Sequence, residues 1–398
     1  MKDNRIYFDY NATTPVDPQV LALMAEVARK NFGNPSSGHC FGRPVAGIVS
    51  RARRQIADLL NAEPEELCFT SGGTESDNLA LKGGLLPSLC RGRKVHAVIS
   101  AVEHPAIMAT SAYLESLGAE ITRLPVAADG TLSPDQVGEA LRDETLMVSL
   151  MLANNETGVL FPLAEIAALT RPRGVLLHTD AVQAFGKVAI DVKTLGVDLL
   201  SLSGHKVYAP KGIGALWLRS GVELEPLLHG GGQERGRRSG TENPPAMAAL
   251  GLACELLRGR MGEESERIGR LRDYLEASLQ TALDGELIFH GHRRQRVPNT
   301  CCLSVPWVDG ESLLAHLDLE NIAVSAGSAC SSGDHRGSPV LRAMGVGPEL
   351  VQGALRISLG RWSTQAEVDL FLEKFTAIVR RLWAISPLYL KNRRFVAD

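Results

Sequence analysis

Cys330 stands in "SAGSACSSG" (325–333), among Ser, Ala and Gly, with no apolar neighbours to pack it as a small hydrophobe. A thiol so placed is a candidate nucleophile once deprotonated; a free thiol has a pKa of ~8.5, so a nearby base must take its proton. Three other stretches hold groups suited to chemistry. "LLSLSGHKVYAPKG" ends an apolar run with Ser203, Gly204, His205 and Lys206. A lysine just past a buried strand can have its amine pKa lowered enough to form a Schiff base. "LLHTDAVQA" ends another run with Asp180, which must either find a partner or cap the turn "AVQAF". "FTSGGTESDNLAL" reads as strand, glycine-rich turn and helix, aiming free backbone N–H groups at an anion. No Gly-Lys-Ser/Thr follows, so it is not a Walker loop, and a plain tight turn is the alternative. Together, a phosphate site, a carboxylate for a protonated ring nitrogen and a Schiff-base lysine are what pyridoxal phosphate demands.

The elements that must position these groups are legible as apolar runs. Strands are expected at 66–71, 96–101, 120–126, 146–152, 174–180, 199–204 and 214–219, with helical stretches between several of them. Continuous apolar strands separated by helices indicate an α/β fold, its mostly parallel seven-stranded sheet covered on both faces. The chemical groups then fall at strand carboxyl ends, where open α/β sheets place ligands. After the turn-rich "LHGGGQERGRRSGTENPP" (228–245) a long helical region at about 246–283 is expected. Short strands in "LIFHG", "TCCLSVP", "NIAVSAG" and "ALRISLG" follow, with helices at 310–318 and near 364–384. The division expected is an N-terminal arm (1–15), a large domain (16–259) and a smaller C-terminal α+β domain (260–398).

The 398 residues carry a net charge of −3, which gives no electrostatic reason to expect nucleic acid. The basic runs "HRRQR" (292–296) and "KNRRF" (391–395) read as solvated loop or tail. No secretory signal is apparent at the N-terminus, and the longest nearly uncharged run, "PPAMAALGLACELL", falls short of the ~20 residues of a membrane span. A cytoplasmic protein is expected. Seven cysteines without a CxxC pair argue against a disulfide framework and a zinc ribbon. Cys301 and Cys302 point to opposite faces of an expected strand, and they and Cys40, Cys68, Cys90 and Cys254 read as structural. His178 reads as a core residue, and His335 has no assigned role.

The chain resembles a cysteine desulfurase of the NifS/IscS family, leaning towards the NifS branch. The resemblance runs in order from "YFDYNATT" through "FGNPSSGH", "TSGGTESDNLAL", "EHPAI", "ANNETG", "HTDAVQA", "SLSGHKVYAPKG", "GGGQERGRRSGTEN" and "SAGSACSSG" to "LRISLG". It implies a fold-type I transferase that binds pyridoxal 5'-phosphate. Lys206 would hold the cofactor covalently, Asp180 would face the pyridine nitrogen, and Gln183 and Asn155 would lie near the ring hydroxyl. His104 would stack on the ring and move protons. Gly73, Thr74, Ser203 and His205 would hold the phosphate, joined by Thr241 of the other subunit of a homodimer. Arg356 would clamp the substrate carboxylate, assisted by Asn34 and Asn155.

On this resemblance L-cysteine becomes L-alanine and its sulfur is left as a persulfide on Cys330. An iron–sulfur scaffold protein of the NifU/IscU kind would accept it. No metal site of its own is implied, beyond passing contact of Cys330 with a scaffold-bound cluster. Two departures stand out: "DHRG" (334–337) where the family carries a Leu-Glu-Pro-like segment, and Tyr10 where it often has Asn or Ala. A selenocysteine lyase or another enzyme of the same fold, such as an aminotransferase, would share the cofactor motifs. A sulfur carrier that kept only the fold would not need Lys206.

Overall fold

The structure is a computed structural model that describes residues 5–326 and 337–394. Thirteen strands are present among them: β1 Ile6–Tyr7, β2 Leu67–Thr70, β3 His96–Ser100, β4 Glu120–Leu124, β5 Thr145–Ser149, β6 Leu176–Asp180 and β7 Leu199–Ser203. They continue with β8 Gly214–Leu218, β9 Ile288–His290, β10 Thr300–Ser304, β11 Ile322–Ala323, β12 Ser325–Ala326 and β13 Ala354–Ser358. The large sheet has the order β2-β8-β7-β6-β5-β3-β4. β8 runs antiparallel to β2 and β7, whereas the pairs β7–β6, β6–β5, β5–β3 and β3–β4 are parallel. Each of the seven expected strands is there: six are buried along nearly their whole length, so no polar side interrupts their apolar runs, whereas the edge strand β4 is buried only at Leu124.

Residues along β8 show how that sheet makes two cores. Ala215 and Trp217 join one apolar cluster and Leu216 and Leu218 another, the period-2 alternation of a strand. A third cluster, with Phe371, Phe375 and Leu303, lies under the four-stranded sheet β12-β13-β10-β9. Cys301 packs into this third cluster and Cys302 into the first, on opposite faces of β10 as expected. The arm crosses to this second region: β1 pairs with β11 (Ile6 with Ile322), and Asp9 bridges to Ser358. Tyr10 is buried with its ring against Gly360, where a Cβ would lie 2.1 Å from it, and beside Tyr7 and Tyr208.

Three expectations are corrected. The helical region at 246–283 is two helices, Pro244–Arg258 and Met261–Ala282, broken at Gly259–Arg260. Arg296 is no solvated loop residue. It makes a two-pronged bridge to Glu276 (2.7 and 2.8 Å), and the two side chains are 5% and 10% exposed. Cys40 and Cys90 are exposed, whereas Cys68 and Cys254 are buried.

Candidate active site

The parallel strands β2, β3, β5, β6 and β7 all end at one edge of the sheet, so the residues following each of them meet there. After β2 comes Gly72 (φ 155°, ψ −177°), in a backbone region essentially confined to glycine, at the N-cap of helix Gly73–Cys90. A Cβ on Gly73 would lie 2.7 Å from Val182 Cγ2, so that position must stay bare. After β3 comes His104, and after β5 Asn155. Asp180 ends β6, Ser203 ends β7, and His205 and Lys206 occupy the short 3-10 turn that follows.

These elements enclose a cavity of about 190 Å³. Gly73, Thr74 and Ser203 line it on the side of the helix N-terminus, together with His205. His104, Asn155, Asp180, Gln183 and Lys206 complete the nine expected residues on its wall. The Lys206 amine donates to the backbone carbonyls of Asn11 and Ala12 (2.8 Å to the latter). His104 Nδ1 accepts the Ala106 N–H (3.1 Å), capping helix Pro105–Ser116. That acceptor role leaves the proton of a neutral imidazole on Nε2. His205 Nδ1 lies 3.2 Å from Thr13 Oγ1, and burial, with the charges of Lys206 and Lys211, lowers its pKa to about 4.

Asp180 Oδ1 accepts the Val182 N–H at 2.9 Å, so it caps its own turn while lining the cavity. Ligand atoms of Asp77, His104 and Asp180 lie within 4.8 Å of one another, and Asp77 Oδ1 is buried without a hydrogen-bond partner. Burial raises both carboxyls, and each opposes the charge of the other. His104 and Lys206 favour the anion at Asp180. His178, between Ser149 Oγ (2.8 Å) and Ser201 Oγ (3.0 Å), is the satisfied core residue expected, held neutral by burial.

Four expected residues lie elsewhere. Thr241 is exposed on a second cavity of about 240 Å³ with Glu234 and Arg238. Asn34 is exposed and accepts the Ser36 N–H. Arg356 is buried on β13, with Nη1 donating to the Asn155 carbonyl (3.0 Å) and Nη2 to Asp9 Oδ1 (2.8 Å). Cys330 lies outside the described residues, as do Asp334, His335 and Arg336.

Sequence reading gave no role to three buried groups here. Asn11 accepts Lys206, Gln183 and Lys187 from one side and donates to Thr300 on the other. Its signal was a polar residue inside "DYNATT". Asp77 was visible as an acid in the apolar face of a helix. Glu103 adjoins His104; it accepts the Ser100 hydroxyl (2.6 Å) and the Met151 N–H (3.1 Å).

Burial raises Glu103 from 4.5 to about 8. A raised carboxyl binds more protons folded than unfolded, so its stabilising contribution is complete below pH 4.5 and is lost as pH climbs through 8. Glu103→Gln stays neutral throughout. The stability of the variant relative to the parent is therefore expected to improve between pH 5 and pH 8, with a slope of up to about 1.4 kcal/mol per unit. Chemical denaturation at both ends measures this, and any pH-independent cost of the substitution cancels. A difference that does not change with pH contradicts a buried, protonated Glu103.

The donor set fits pyridoxal 5'-phosphate. Free N–H groups of a helix N-terminus with Ser203 and His205 suit a phosphate, a buried carboxylate suits a protonated ring nitrogen, and one lysine amine faces the same space.

Comparison with known proteins agrees with this chemistry. The aminotransferase class-V family model matches residues 6–371. "Cysteine desulfurase IscS" of Methanosarcina thermophila is 45% identical over 393 residues, covering 99% of this chain and 96% of that protein. "Cysteine desulfurase 2" of Trichormus variabilis is 46% identical over 382 residues, covering 96% and 95%. A solved NifS-like protein superposes with a TM-score of 0.89 at 36% identity, covering 95% of this chain and all of that one.

Proposed function

The chain belongs to the aminotransferase class-V family, and from that premise we propose that it is a cysteine desulfurase, converting L-cysteine to L-alanine with transfer of the sulfur to Cys330. The observation that carries this reading is the convergence of Lys206, Asp180, His104 and the helix N-terminus on one cavity. Full-length relatives named cysteine desulfurase support it.

Pyridoxal 5'-phosphate supplies an electron sink for the pair left on the substrate Cα when its proton is removed. The residues of this chain do the rest. Asp180, whose anion His104 and Lys206 favour, would pair with the protonated ring nitrogen. The Lys206 amine would hold the cofactor at rest and, once freed, would take the proton from the substrate Cα and return one there before alanine leaves. Nε2 of His104 bears the hydrogen that the imidazole can give up or regain. Arg356 draws the substrate carboxylate towards Asn155.

The transfer balances without an outside oxidant or reductant. The thiolate of Cys330 forms an S–S bond to the substrate sulfur as the Cβ–S bond breaks, and Cβ gains a proton. Cysteine plus thiol thus gives alanine plus persulfide. The protein works as a homodimer in which Thr241 reaches the phosphate of the partner subunit, its exposure beside a second cavity being consistent with that use. No helix among the described residues is long and apolar enough to cross a membrane. The sulfur acceptor is an iron–sulfur scaffold protein, as the resemblance to the NifS/IscS family implies.

The test is to load the purified protein with pyridoxal phosphate, add L-cysteine anaerobically, and alkylate and digest it. Alanine is expected in step with sulfur on the peptide containing Cys330, and Cys330→Ser is expected to bind substrate without turning it over. Sulfide release by Cys330→Ser at the parent rate would sink the assignment. A colourless protein that takes up no cofactor would sink the enzyme itself.

A further inference from the structure

Lys187 is a lysine that the mechanism above does not use, set in the turn after Asp180–Gln183. Its side chain points inward: Nζ donates to Gln183 Oε1 at 2.6 Å and to Asn11 Oδ1 at 3.1 Å. The hydroxyl of Ser265 donates to its backbone carbonyl at 2.7 Å, tying the turn to helix Met261–Ala282. At Gly186 (φ 75°) a Cβ would lie 2.8 Å from Val207 Cγ1, so the turn sits tight against its neighbours. Lysine is a costly residue to fold inward unless its amine has work there.

That work is visible in the amide of Gln183. Its nitrogen donates to the Asn11 backbone carbonyl at 2.9 Å, and a carbonyl can only accept. Its oxygen meets the Lys187 amine, which donates in either protonation state. Two independent partners therefore fix the same orientation of the amide. One N–H of Gln183 is used by Asn11, and the second remains for the cavity that Gln183 lines.

We infer that Lys187 is a positioning residue for the cofactor: by holding the oxygen of the Gln183 amide, it makes an N–H, and not an oxygen, what Gln183 offers to the pocket. This rests on the reading that the cavity takes pyridoxal phosphate, whose ring hydroxyl oxygen, as a phenolate, is an acceptor. An oxygen turned to that phenolate would repel it. Without Lys187 the amide oxygen would sit unpaired near the oxygens of Asn11, and the amide would lose its reason to keep one orientation. Burial and the charges of Lys206 and Arg356 hold the Lys187 amine well below the ordinary lysine range.

The test is a double-mutant cycle on cofactor affinity, measured by titrating apo-protein with pyridoxal phosphate. Lys187→Met keeps the length of the side chain and removes the donor. It is expected to weaken binding about tenfold, the worth of one hydrogen bond to a charged group, and to move the pH midpoint of the bound cofactor's visible band. Gln183→Met is expected to weaken binding at least as much, and the double variant no more than Gln183→Met alone, because the two act through one contact. Gln183→Glu, which keeps the partner of Lys187 but offers no N–H, is expected to lose affinity as well. Additive losses, parent-like binding by Lys187→Met, or parent-like binding by Gln183→Glu would each overturn the inference. A parent protein that takes up no pyridoxal phosphate overturns this inference and the proposed function together. Uptake by the parent with an indifferent Lys187→Met overturns this inference alone.

Discussion

Lys206→Ala is expected to lower alanine formation from L-cysteine by at least about 10³-fold, combining the loss of a covalent anchor and of a proton carrier. Lys206 is the lysine on the wall of the cavity, and its amine is aimed there by two backbone carbonyls, of Asn11 and Ala12. No lysine nearby can substitute. Lys187 is engaged by Gln183 and Asn11, and Lys211 is an exposed residue beyond the turn. The variant is expected to fold normally, since the two backbone carbonyls that lose the amine can be met by water or ligand. Bound cofactor, if retained, should no longer be fixed to the protein by borohydride. Anaerobic alanine release with a borohydride-treated control measures both effects. A rate within tenfold of the parent would remove Lys206 from the chemistry.

Arg356 gives the second large effect, and here substitution by lysine says more than substitution by alanine. Arg356 is almost fully buried, its two terminal nitrogens are spread between Asp9 and the Asn155 carbonyl, and its Nε has no partner among the described residues. A lysine keeps the charge beside Asp9 but cannot span the fork that binds a carboxylate at two points. Arg356→Lys is therefore expected to lower kcat/KM for L-cysteine by about 10²-fold, mostly through KM, consistent with the loss of a charge-assisted hydrogen bond worth about 1.5–3 kcal/mol. Arg356→Ala should also lose about 3–5 kcal/mol of stability, because the mainly buried Asp9 is left without its cation. Steady-state kinetics and denaturation separate the two roles. Stability that falls in both variants while KM stays at the parent value would make Arg356 a structural residue only.

How much of this could be read before folding varies with the distance between partners. Six of the seven strands of the large sheet were legible because burial on both faces writes itself as a largely apolar run, and the exposed edge strand β4 by its position between two helical stretches. The break at Gly259–Arg260 was not: apolar positions continue on both sides of it, so the helical pattern runs through. Arg296 looked solvated in "HRRQR" because its partner, Glu276, is 20 residues away on a helix. Asn11 is the sharpest case. Its hydrogen-bond partners Lys187, Lys206 and Thr300 are 176, 195 and 289 residues distant, and no local pattern announces them.

By itself the sequence determined the chemistry available: a lysine and an aspartate at strand ends, a glycine-rich helix start, and a cysteine among small residues. Those are matters of residue type and short spacing, which survive without coordinates. Only the tertiary structure decided that Asp77 and Asp180 are buried side by side, that Gln183 is held between Asn11 and Lys187, and that Thr241 and Arg356 stand off the cavity wall. Each of these depends on groups brought together from distant parts of the chain, where a few ångströms and the loss of water set the energy.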